Sequence, residues 1–139
     1  INSTYDAYWL QASLLPATDG VNAYARVFVG GAVQTGNIYG YETAGRDESG
    51  YTGSNATSIF QFNRDVCGNA TGEGLSYQFL MQNVNSTTRP TVISGFANVL
   101  NTTGDHNAAT FTGSMSAGNA GSVINGFQFF FNNKLSFFE

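Results

Sequence analysis

Charge is the scarcest property of this 139-residue sequence: five Lys or Arg and nine Asp or Glu make up 10% of it, where an average globular domain carries about 25%. With a net charge of −4 and no cluster of Lys or Arg, nothing in it neutralises phosphates, so nucleic acid is excluded as an expected partner. Helix formers are scarce too, with Leu seven times, Glu four times and Lys once, and a helical protein is not expected. The single cysteine, Cys67, cannot close an internal disulfide, which rules out a disulfide-stapled scaffold and leaves a small buried thiol as its expected state. Apolar runs stop after a few residues, as in Phe129-Phe130-Phe131, far short of the roughly 20 that cross a bilayer as a helix, so no membrane insertion is expected. His106 is the only histidine, Gly-x-Ser-x-Gly is absent, and Arg64 is the only basic residue near Cys67 in the sequence. Nucleophilic catalysis therefore lacks its parts.

What is present is aromatic bulk and turn chemistry. Twelve Phe, seven Tyr and one Trp supply apolar area for a core, and 17 Gly with 41 Asn, Ser and Thr punctuate it. The apolar pattern has period two, which predicts an all-β chain: an antiparallel β-sandwich, jelly-roll-like, of about eight strands, with residues 1–139 forming one domain. A first strand from about Tyr5 to Leu15 sets Tyr8, Leu10, Ala12 and Leu14 on one face. A second, from Asn22 to Val29, sets Ala23, Ala25, Val27 and Val29 on one face and ends at Gly30-Gly31, a tight hairpin turn. These two strands are expected to pair. A strand near Asn37 to Thr43 precedes an exposed loop from Ala44 to Asn55. Leu75, Tyr77, Phe79 and Met81 mark the cleanest half-buried strand, Pro90 opens another through Leu100, and Asn101 to Asn107 loops back. Strands over Thr110 to Ala117 and Val123 to Phe131 follow, with Phe127, Phe129 and Phe131 facing one way.

The acidic residues sit mostly in turns: Asp19, Asp47, Glu48, Asp65, Glu73 and Asp105, where carboxylates usually hold backbone amides. Paired carboxylates for glycoside hydrolysis are not excluded by number, but no spacing points to them. Asp47-Glu48 offers oxygen to Ca²⁺ without an Asp-x-Asp-x-Asp run, and one Cys with one His does not make a zinc site. No catalytic residue, metal or cofactor is expected, and the chain is read as a non-enzyme. Asn-x-Ser/Thr sequons begin at Asn2, Asn55, Asn69, Asn85 and Asn101; composition alone gives about three, so they are weak candidates for N-glycosylation. Trp9, Tyr39, Tyr41 and Tyr51 are the aromatics offered for stacking on sugar rings, the last three as the candidate glycan contact.

Four segments, Ile1 to Tyr8, Leu15 to Gly20, Gly72 to Leu75 and Ser122 to Phe131, together resemble small β-rich domains in tail-fibre-like and other virion proteins of bacteriophages, aquatic ones especially. The resemblance implies a structural or adhesive role with no catalytic residues to carry over. Both ends depart from the family pattern, so the chain is expected to be a piece of a longer protein, its edges completed by further sequence or by another subunit. The expected function is that of a virion structural protein, a fibre domain or capsid decoration protein, acting in assembly, stabilisation or host-surface attachment, located in the virion and partnered by itself as a homotrimer or by other virion proteins. Strand alternation buries only one face of Phe129-Phe130-Phe131, so Phe129, Phe130, Phe131, Phe137 and Phe138 are the candidate inter-subunit contact. The alternative is a secreted or cell-surface carbohydrate-binding glycoprotein module that meets a host-surface glycan.

Overall fold

The computed structural model describes residues 1, 4–45, 52–63, 65–119, 121–132 and 134–135. They form eleven strands: β1 (Ala7–Leu14), β2 (Ala23–Val29), β3 (Ala32–Val33), β4 (Tyr39–Gly45), β5 (Thr52–Thr57), β6 (Phe60–Gln61), β7 (Gly74–Gln82), β8 (Val92–Leu100), β9 (His106–Met115), β10 (Ile124–Phe131) and β11 (Lys134–Leu135). Three of these, β3, β6 and β11, are two-residue pieces; seven of the eight longer ones lie where the alternation predicts a strand, and the eighth, β5, falls in the expected loop. The one helical turn among the described residues is a 3₁₀ turn at Ala117–Asn119, and no described helix is long and apolar enough to cross a membrane.

Every strand pairing among the described residues is antiparallel. One sheet has six strands in the order β1-β7-β8-β9-β4-β5; the other runs β11-β10-β2-β3, with β6 joining β2 as well. The two sheets face each other across the aromatic core that the alternating pattern supplies. Leu75, Tyr77, Phe79 and Met81 of β7 point inward with Ile93, Ala97 and Val99 of β8 and Phe111 and Met115 of β9. The opposing sheet contributes Ala23, Ala25 and Val27 of β2 and Ile124 and Phe129 of β10. Small residues on β2 leave room for Phe62, which lies just past β6 and fills the middle. Its ring centroid stands 5.7 Å from that of Tyr77, 5.3 Å from Phe79, 4.7 Å from Phe111 and 5.5 Å from Phe129. The neighbouring Asn63 is buried yet satisfied: its Oδ1 accepts from Ala23 N at 2.7 Å and its Nδ2 donates to Asp65 O at 2.7 Å, tying this segment to β2.

Two expectations about pairing and loops are corrected. β1 and β2 do not pair: β1 lies against β7 through eight consecutive residues, and β2 against β10. The Pro16 to Gly20 turn carries the chain from one sheet to the other, as a sandwich requires wherever consecutive strands bury their apolar faces from opposite sides. The expected loop from Ala44 to Asn55 is partly strand, because β5 pairs with β4; its Gly53, Ser54 and Asn55 are exposed and held by the ladder. The Gly30-Gly31 hairpin forms as expected, with Val29 opposite Ala32 and both glycines at positive φ, 59° and 81°.

Candidate functional site

Tyr39 is fully buried between the sheets, its Oη accepting from Val27 N at 3.1 Å and donating to Gln34 O at 2.8 Å. Burial pushes this phenol above its ordinary pKa, with the Val27 hydrogen bond and the Arg26 charge pulling it partly back. It cannot stack on a sugar, so its expected glycan contact is corrected: the alternation of β4 turns Tyr39, Tyr41 and Thr43 inward. Tyr41 is half-buried against the core and donates from its hydroxyl to Gln61 Oε1 at 3.0 Å. Tyr51 lies outside the described residues.

Phe129 and Phe130 are only 2% and 7% exposed in the chain by itself, which corrects their assignment to an inter-subunit contact. Phe129 packs on Tyr77 at 4.8 Å between centroids. Phe130 points to the opposite face of β10, where Tyr24 meets it edge-on at 5.7 Å and the Arg26 guanidinium lies 4.8 Å above its ring. Phe131 is half-buried against the core cluster; Phe137 and Phe138 lie outside the described residues.

Of the sequons, Asn55 on β5 is exposed. The side-chain nitrogens of Asn69, Asn85 and Asn101 donate within the chain, to Ala17 O, Tyr5 O and Asp65 Oδ2 respectively. Asn101 Oδ1 also accepts from Thr103 N and Asp105 N, closing the turn between β8 and β9. Asn2 lies outside the described residues.

The turn carboxylates hold backbone amides. Asp6 Oδ1 accepts from Asn85 N at 3.0 Å, Asp19 Oδ1 from Asn69 N at 3.3 Å and Glu73 Oε2 from Ala70 N at 2.6 Å. Asp47 and Glu48 lie outside the described residues, and among the described residues no three of His, Cys, Asp and Glu come together as metal ligands would. His106 opens β9 instead of lying within a loop, and its Nε2 is 3.2 Å from Asn98 Oδ1. Cys67 is fully buried, and burial, reinforced by the charges of Glu73 and Asp19, pushes its thiol up to about 11. A thiol so protonated is a poor nucleophile at neutral pH.

Two surfaces remain, both on the six-stranded sheet. The first is the outer edge of β1. Its ladder to β7 is continuous from Ala7 opposite Gln82 to Leu14 opposite Leu75, and no strand among the described residues covers its other side. Its eight residues contain no charge and no proline, and Tyr5, Trp9 and Leu15 stand 62%, 59% and 58% exposed along it. The other edges are blunter: β3 and β11 have two residues each, and the β4 to β5 ladder is interrupted by a register shift between Tyr39 and Tyr41.

The second surface is the sheet's outer face. Register aligns Gln11, Gln78, Phe96 and Thr110 in one row across β1, β7, β8 and β9, and Ser13, Ser76, Asn98 and Ala108 in the next. A hollow of about 450 Å³ opens between these rows, lined by Gln11, Ser13, Ser76, Gln78, Phe96 and Asn98 among others. A second, of about 610 Å³, adjoins it toward Leu15, Gly72, Gly74 and Leu100, sharing Ser13, Ser76 and Asn98. Phe96 was missed by a reading that ranked aromatics by type. The signal was present in the phase of β8, where Ile93, Ala97 and Val99 take the inward positions and Phe96 falls with Ser94 and Asn98. No family model, no curated protein and no solved structure matches the chain.

Proposed function

We propose that the chain is a non-enzymatic structural component of a bacteriophage virion, a fibre domain or capsid decoration protein whose jelly-roll-like sandwich assembles with further copies through its edge. The observation that carries this reading is β1: an eight-residue, uncharged edge in unbroken register with β7, with Trp9 exposed on it and Tyr5 and Leu15 exposed beside its ends. Unpaired strand edges template pairing with another chain, and proteins that stay monomeric protect them with charge, proline, bulges or brevity. β1 has none of these, which favours an edge that another subunit covers in a closed assembly. The mass of the chain in solution, by light scattering coupled to size exclusion with intact mass spectrometry, tests this. A homotrimer of bare polypeptide mass is the expected result; a monomer carrying hexose mass at the sequons overturns it.

A carbohydrate-binding module is the second reading. It loses Tyr39 as a contact, and the trough beside Phe96 on the outer face is the observation in its favour.

A further inference from the structure

We infer that the trough on the outer face of the six-stranded sheet, running from Phe96 past Asn98 toward Leu100, binds an uncharged oligosaccharide chain. This rests on the carbohydrate-binding reading and gives it a site and a ligand class; it holds whether the module sits on a virion or on a cell surface.

Shape comes first. The two hollows share Ser13, Ser76 and Asn98 and so form one trough along the strands, longer than a single sugar ring needs. Its floor is a hydrogen-bonded ladder of β1, β7 and β8 in unbroken register, and a floor already ordered gives up little entropy when a ligand arrives. Chemistry then narrows the occupant. Phe96 is 42% exposed in the middle of a sheet face, flanked by Gln78 on one side and Thr110 on the other. An exposed ring surrounded by amides suits a ligand that is apolar on one face and hydroxylated at its rim. The amides of Gln11, Gln78 and Asn98 each offer both donor and acceptor, as sugar hydroxyls demand of their partners. Those of Gln11 and Gln78 have no partner within the described residues, whereas Asn98 is steadied by His106 at 3.2 Å. Trp9 stands on the same face, two strands and two residues from Phe96, about 12 Å on a regular sheet. It gives a second ring for a ligand that extends beyond one unit.

Charge sets the ligand class. No residue lining the first hollow is ionisable except Tyr77, whose phenol is buried beneath the floor. Glu73, the one acid in the second hollow, is engaged by Ala70 N. An anionic polysaccharide would find no cation in the trough, and a neutral one loses no charge solvation on entering it.

Nitrogen-15 NMR titration of the full chain with mannohexaose, cellohexaose and chitohexaose, and with a hexagalacturonate as the charged comparison, tests the assignment. The expected result is binding of at least one neutral hexasaccharide, with shifts centred on Gln78, Phe96 and Asn98. Phe96→Ala should then weaken it about tenfold while the chain still unfolds in a single cooperative transition, since the ring lies outside the core. If neutral sugars bind but Phe96→Ala and Gln78→Ala bind them as tightly as the parent, the trough is overturned while the carbohydrate-binding reading stands. If none of the three neutral probes binds at millimolar concentration, both are overturned. Tighter binding of hexagalacturonate overturns the ligand class.

Discussion

Phe62 shows how one side chain outside any strand can hold two sheets together. Its ring touches aromatics of β7, β9 and β10 at once, with a further centroid, that of Phe127, 6.4 Å away. Truncation to Ala would leave a void that strands locked in their ladders cannot close. Phe62→Ala is expected to lose about 3–5 kcal/mol in urea unfolding followed by circular dichroism, and Phe62→Leu clearly less. Buried titratable groups make a second prediction at this scale. The Cys67 thiol is raised to about 11 and the Tyr77 phenol to about 12, both chiefly by burial, and Tyr39 is raised in the same way. In each case the fold favours the protonated form, so the unfolded chain releases its protons at lower pH. These groups make no difference to stability below about pH 9, and stability falls as pH rises above it. A Tm profile from pH 7 to 11 should show that decline. Cys67→Ala should flatten its first part, and Cys67 should resist iodoacetamide at pH 8 until urea unfolds the chain.

Local elements were more legible in the sequence than their partners. The β2 to β3 hairpin was readable because both glycines lie within the turn they make. Gly31 sits at φ 81° with its N–H donating to the Asn125 side chain. Gly31→Ala is expected to lose about 1–2 kcal/mol in the same urea assay, although open space surrounds the position, which separates backbone strain from crowding. β7 was readable because its alternation is unbroken. The partners of β1 and β2 were not, since period two tells which face is buried and is silent on which neighbour supplies the ladder. β5 was hidden for a related reason: Thr, Gly, Ser and Asn read as loop, and only the backbone of β4 makes them strand. At the site, residue type misled where phase would have served. Tyr39 looked like a surface aromatic and is core, while Phe96, which went unremarked, stands 42% exposed on the outer face.

For the whole molecule, the unequal edges set the expected assembly. Lysine on an edge opposes pairing with a second chain, so Trp9→Lys should dissociate the proposed trimer to a monomer in light scattering while leaving the far-UV circular dichroism of the folded chain unchanged, because Trp9 is exposed. A trimer that survives Trp9→Lys with its mass unchanged would place the contact away from β1. The strand order also bears on how the protein is made. β1 finds its ladder only in β7, some 60 or more residues later, and β2 finds its main one in β10, about 100 residues later. β1 therefore stays without its ladder until β7, just past the midpoint of the sequence, has been synthesised, while β2 gains β3 at once but waits for β10 to gain its main partner, and closing such distant pairs is slow. The same β1 that we propose as the assembly edge thus has both of its sides open until β7 follows it. Crowding of nascent chains before β7 arrives would therefore favour pairing between copies through β1 over pairing within one chain.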